Sequence, residues 1–131
     1  MAAGGIELTV GVAHDASFGP VMVCGPADVT AELLHDAAAR ITPLTDAEAH
    51  EMLRSLRSYP LLAGHGDAPP CDLAAIEDVL LRLSALVETH PEVAELDLAP
   101  LLAAEHGAMV ISAHVRLEPP PPAAALSAVR A

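Results

Sequence analysis

The chain has 131 residues, and its 18 acidic and 6 basic residues give a formal net charge of −12. This charge excludes an anionic membrane surface and nucleic acid as partners, and base stacking would need more aromatic side chains than the 2% present. Hydrophobic residues make up 53%, so we expect one domain with a core of Ala, Leu, Val and Ile, whose partners are small molecules or other proteins.

The first part of the chain predicts a hairpin of two strands. In residues 6–13 the large apolar side chains at positions 6, 8, 10 and 12 alternate with Glu, Thr, Gly and Ala, which is the period of a half-buried strand. After the turn-rich residues 14–17, the apolar run 21–24 predicts a second strand that pairs with the first. Residues 28–36 favour a short helix, and residues 38–42 favour a further strand.

The middle of the chain predicts two helices. Thr45 and Glu48 have the spacing of a capping box, so a helix is expected from this point to about Ser58. A stretch rich in Gly and Pro then predicts a loop. Asp72 is placed to cap a second helix, which should end before Pro91. The single apolar stripe of this helix consists of Leu73, Ile76, Val79, Leu80, Leu83 and Val87.

The last part of the chain predicts two strands and a tail. Residues 92–98 and 109–117 both have strand-like alternation. In the second strand, one face is expected to carry Met109, Ile111, Ala113, Val115 and Leu117, and the other Ser112, His114 and Arg116. Residues 119–131, rich in Pro and Ala, predict a disordered tail, which leaves one domain in residues 1–118. The predicted fold class is α+β, with a mostly antiparallel sheet and helices packed on it.

The expected location is the cytoplasm. No stretch reaches the roughly 18 uncharged apolar residues of a membrane-spanning helix. The N-terminal Met-Ala-Ala-Gly-Gly has no basic region and no apolar run after it, so we expect no signal peptide. Cys24 and Cys71 are far apart in the sequence and are expected to be reduced thiols.

Several short blocks occur in an order and spacing typical of one family. The blocks are Gly5-Ile6-Glu7-Leu8, Gly11-Val12 followed by Asp15 and Phe18-Gly19-Pro20, Tyr59-Pro60-Leu61-Leu62 with Gly64-His65, and His90 to Leu98 with Pro100-Leu101. Over residues 5–117 the chain resembles the second, C-terminal lobe of the ATP-grasp domain of NDP-forming acyl-CoA synthetases. These include the ADP-forming acetate–CoA ligases, and a similar module is fused to acetyltransferase domains in some bacterial protein lysine acetyltransferases.

The resemblance implies a chemistry that depends on ATP, Mg²⁺ and CoA. Family members phosphorylate a histidine on a partner domain and pass through an acyl phosphate to an acyl-CoA. Their metal is held by an Asn and an Asp on two strands, and the matching residues here are Ala99 and Ser112. Because Mg²⁺ prefers hard oxygen ligands, an alanine and a neutral hydroxyl are poor replacements. We therefore expect no metal at these positions.

The loops that face phosphate in the family are also altered. The resemblance places Gly25-Pro26-Ala27-Asp28 where the family has Gly-x-Gly-Gly, so Gly25 is the remnant of the phosphate loop. Pro26 removes an N–H donor and Asp28 adds a negative charge. Gly64-His65-Gly66-Asp67 lacks the Arg of the family's Gly-x-Arg-Gly. The family's first lobe, which supplies a nucleotide-clamping Lys, is not in this sequence. No cofactor is expected for this chain alone.

Three acids match family positions near the nucleotide or the phosphohistidine, namely Glu7, Glu32 and Asp97. Each is equally well explained as an ordinary carboxylate on a polar face. We favour that explanation, because function belongs to complete sites and not to folds.

The leading hypothesis is a degenerate, non-catalytic lobe that acts as an interaction or regulatory module. Its protein partner would be the missing ATP-grasp lobe or a CoA-binding or acetyltransferase domain. The alternative is an enzyme component, one lobe of a split ATP-dependent acetate– or acyl–CoA ligase completed by other chains. A third hypothesis is a gene fragment without function, which predicts poor solubility and exposed apolar surface.

Overall fold

A computed structural model describes residues 6–27, 36–64, 66 and 69–119. Within these ranges the elements are, in chain order, β1 (Ile6–Asp15), β2 (Gly19–Pro26), β3 (Ala38–Ile41), α1 (Asp46–Arg54), α2 (Tyr59–Leu62), α3 (Leu73–Thr89), β4 (Val93–Ala104), β5 (Gly107–Val110) and β6 (Ala113–Leu117). The predicted α+β class is confirmed. No helix in the described ranges is long and apolar enough to cross a membrane.

The strands form one antiparallel sheet in the order β3-β2-β1-β4-β5, and β6 pairs with β4 beside β5. The predicted hairpin of β1 and β2 is confirmed, with Val10 opposite Cys24. At 12 residues, β4 is long enough to pair with β6 along its first half and with β5 along its second half. The sheet therefore ends at β3 on one side and at the pair β5 and β6 on the other.

One face of the sheet, the helix-side face, carries the core. Helix α3 packs on β1 and β2, and α1 packs on α3 and β3. Successive side chains of a strand point to opposite faces of the sheet, so every second residue, usually an apolar one, lies under these helices. The core between the sheet and the helices contains fully buried side chains from both. They are Leu8, Val10, Met22 and Leu101 from the strands and Met52, Leu53, Ile76 and Leu80 from the helices.

The opposite face of the sheet, which we call the open face, has no helix on it among the described residues. It carries Glu7, Thr9 and Gly11 of β1, Val21 and Val23 of β2, Asp97 and Ala99 of β4, and His114 and Arg116 of β6. Most of these side chains are exposed or half-buried. The open face is thus the broad surface on which a ligand or another domain would lie.

Helix α1 begins as predicted and ends earlier than predicted. The Glu48 amide donates to Thr45 Oγ1 at 3.1 Å, and the Thr45 amide donates to Glu48 Oε1 at 2.9 Å, which confirms the capping box. The helix stops at Arg54, and the short helix α2 follows within the predicted loop. The buried Asp36 carboxylate accepts the amides of residues 57 and 58 and so holds the chain in a turn there.

Helix α3 follows its sequence signals. The Asp72 carboxylate accepts the amide of Ala75 at 3.1 Å, as expected of the capping residue. The helix ends at Thr89, two residues before Pro91. Four residues of the predicted stripe are buried in the core, namely Ile76, Leu80, Leu83 and Val87. Leu73 and Val79 are partly buried against it.

The prediction of a single strand over residues 109–117 is wrong. The segment is divided into β5 and β6 at residues 111–112, opposite Ala99–Pro100, where the register of β4 with β1 shifts. The Ile111 amide donates to Pro100 O and the Ala99 amide donates to Ser112 O, both at 3.0 Å, across the break. Met109 pairs beside Leu102 on the open face, whereas Val115 pairs with the buried Leu96, so the two do not share a face.

Two other predictions differ in extent or remain untested. The strand expected over residues 92–98 continues to Ala104. The helix expected over residues 28–36 and the tail expected over residues 119–131 lie almost entirely outside the described residues, and the domain boundary at residue 118 stays a prediction.

Candidate functional site

The structure brings Ala99 and Ser112 together. They lie at the break between β5 and β6, and the Ala99 amide donates to Ser112 O at 3.0 Å. Both residues are exposed. Neither side chain supplies a carboxylate or an amide oxygen, and the Ser112 hydroxyl is the only side-chain oxygen of the pair. The two positions are therefore adjacent, as a shared ligand would require, but their donor set does not fit Mg²⁺.

Asp97 lies next to this pair on the open face. It pairs with Gly11 on one side and with His114 on the other. A Cβ atom at Gly11 would lie 2.5 Å from Asp97 Oδ1, so the carboxylate occupies the space that the glycine leaves. The half-buried position of Asp97 follows from this packing. Its role in a reaction stays a prediction.

Glu7 shares the open face with Asp97 but does not meet it. Glu7 pairs with Leu102, four residues along β1 from the Gly11 that faces Asp97. Four residues of extended strand span roughly 13 Å. Glu32, the third acid of the set, lies outside the described residues. The structure thus does not bring Glu7 and Asp97 into one cluster.

Gly25, the remnant of the phosphate loop, is buried at the end of β2. A Cβ atom there would lie 2.5 Å from the backbone oxygen of Asp36, so the glycine is needed for the close approach of two chain segments. The next available amide, that of Ala27, donates to Glu7 O at 3.1 Å, and Pro26 has none. In the part of this loop that the structure describes, no backbone donor is free for a phosphate.

A cleft that the sequence analysis missed lies at the far end of the sheet. Its volume is about 510 Å³, and the ionisable side chains of its lining are those of His14, Asp15, Glu95, Arg116 and Glu118. Arg116 is paired with both Glu95, at 3.5 Å, and Glu118. These residues come from three distant stretches of sequence, and no spacing pattern signals their meeting. The paired Arg leaves no unopposed cation for an anionic ligand.

Neither cysteine is activated. Burial, with a smaller contribution from the Asp36 carboxylate, raises the pKa of the Cys24 thiol to about 12. Burial also raises the pKa of Cys71. Because the thiolate is the reactive form, both are core residues and not nucleophiles. Among the described residues, no group of three or more His, Cys, Asp or Glu side chains is arranged to hold a metal ion.

The family of the chain follows from comparison with known sequences. The sequence profile of the ATP-grasp domain matches residues 1–117. The chain is 45% identical over 111 residues to acetate–CoA ligase (ADP-forming) I of Archaeoglobus fulgidus. The aligned residues cover 85% of this chain and 16% of that enzyme. It is 34% identical over 113 residues to the beta subunit of acetate–CoA ligase (ADP-forming) I of Pyrococcus furiosus, which covers 86% of this chain and 49% of the subunit.

Solved structures agree with the sequence comparison. The dinucleotide-forming acetyl-coenzyme A synthetase 1 of Ca. Korarchaeum cryptofilum, in complex with coenzyme A and Mg-AMPPCP, is similar with a TM-score of 0.84 and 35% identity. The similarity covers 90% of this chain and 55% of that one. The PH1788 structure from Pyrococcus horikoshii has a TM-score of 0.82 and 33% identity over 91% of this chain and 51% of that chain.

The chain therefore belongs to the ATP-grasp family. Within that family it is an ATP-grasp portion of the kind found in NDP-forming acyl-CoA synthetases, whose members among its relatives are ADP-forming acetate–CoA ligases. The chain spans about half the length of the similar subunit and structures and a smaller share of the single-chain ligase. Its relatives therefore contain further domains.

Proposed function

We propose that this chain is a non-catalytic form of the ATP-grasp lobe, a pseudoenzyme that works as an interaction or regulatory module in an acyl-CoA synthetase or acetyltransferase system. The observation that supports this most directly is the pair Ala99 and Ser112. These positions are neighbours across a strand hydrogen bond, and they present a methyl group and a hydroxyl where the family has metal ligands. Without Mg²⁺ between protein and phosphates, a nucleotide loses its main anchor on this face.

The loop at Gly25 supports the same proposal. Its described backbone donors are used within the fold, and Pro26 contributes none. The net charge of −12 adds to this, because a site for a polyphosphate gains from nearby cations and the nearest Arg on the open face, Arg116, is already paired with Glu95 and Glu118. We further propose a cytoplasmic location, in keeping with two buried free thiols.

Isothermal titration of the 131-residue chain with Mg-ATP tests the proposal. We expect no saturable heat at micromolar concentrations. The double variant Ala99→Asn with Ser112→Asp restores two oxygen ligands side by side and is expected to bind Mn²⁺, detected by paramagnetic broadening of its NMR signals. Ala39→Asn, on the exposed edge strand β3, is the matched control and should not bind Mn²⁺. Micromolar binding of Mg-ATP by the unaltered chain would refute the proposal.

The alternative is one lobe of a split acyl-CoA ligase. It is favoured by a specific observation: two relatives are themselves beta subunits of acetate–CoA ligases, and this chain covers 49% and 50% of them. In that case purification of the chain from its source should also yield a protein carrying the remaining ATP-grasp sequence. The mixture should then form acyl-CoA from ATP, CoA and a carboxylic acid. Absence of product from such a reconstituted mixture would exclude the alternative.

A further inference from the structure

We draw no further inference here: the strongest candidate, the patch of exposed apolar side chains along the sheet edge formed by β5 and β6 (Met109, Val110, Ile111, Val115 and Leu117), carries none, because nothing in the part of the chain that the structure describes shows what covers it.

Discussion

The buried Asp36 carboxylate connects two segments of the fold, and its removal should be costly. It is only 5% exposed and accepts the Arg57 amide at 2.6 Å and the Ser58 amide at 2.9 Å. It thereby joins the chain entering β3 to the turn between α1 and α2, two segments some 20 residues apart. In Asp36→Ala both amides lose their acceptor.

The size of the effect follows from these contacts. A hydrogen bond to a charged group contributes about 1.5–3 kcal/mol net. Since Arg57 is at the surface, its amide can donate to water once the carboxylate is removed, which offsets part of the lost hydrogen bond. We therefore expect Asp36→Ala to lower the free energy of unfolding by about 3–4 kcal/mol. For a domain of this size that corresponds to a fall in Tm of about 10 °C. Asp36→Asn keeps one acceptor and should lose about half as much.

Urea unfolding followed by circular dichroism measures the change. The matched control is Asp78→Ala, which removes an exposed carboxylate that pairs with Arg82 at 2.7 Å on the surface of α3. Such an exposed pair contributes less than about 1 kcal/mol. If Asp36→Ala is no more destabilising than Asp78→Ala, then the buried hydrogen bonds do not stabilise this corner of the fold.

Three further predictions concern local packing, burial and capping. Gly25→Ala should destabilise by about 2–3 kcal/mol in a thermal melt, because its Cβ would lie 2.5 Å from a backbone oxygen and not from the end of a flexible side chain; a change below about 0.5 kcal/mol would contradict the close approach. The Cys24 pKa is raised from 9.0 to about 12, so the unfolded chain loses this proton at lower pH than the folded chain. The free energy of unfolding should therefore fall as pH rises above about 9, by up to about 1.4 kcal/mol per unit. The sequence has no Lys to titrate in that range. Between about pH 8 and about pH 11 the urea midpoint should therefore decline less in Cys24→Ala than in the unaltered chain. Equal declines would contradict the raised pKa of Cys24. Thr45→Ala should cost about 1 kcal/mol in urea unfolding through loss of the N-terminal cap of α1, whereas Thr89→Ala, at the C-terminal end of α3, should cost clearly less. Equal costs would argue against the capping box.

The secondary structure was largely predictable because its signals are local. Alternation over residues 6–13 and the capping residues Thr45 and Asp72 act within a few residues of themselves, and the structure confirms each. The end of α1 was not predictable in this way. The turn after it is held by Asp36, which is distant in sequence, and no local sequence pattern indicates that Asp36 and Arg57 meet.

The candidate site was predictable only in part. The resemblance identified Ala99 and Ser112 from short blocks of sequence, but their adjacency depends on the antiparallel register of β4 with β5 and β6 and on the hydrogen bond across the break. The sequence pattern of residues 109–117 predicted one strand with its apolar side chains on a single face. In the structure that segment is an edge, and Val115 and Leu117 are exposed, because alternation reports a period and not what lies on either side of the strand.

The class of fold, the acidity, the family and the absence of a carboxylate or amide oxygen at Ala99 and Ser112 are properties of residue types and their local order, so the sequence alone indicates them. Which residues meet became visible only in the folded chain: Asp97 lies over Gly11, Ala99 lies beside Ser112, and Arg116 lies between Glu95 and Glu118. The physical reason is that strand register and edges arise from pairing between distant segments. A shift of one residue in such a pairing moves every side chain to the other face.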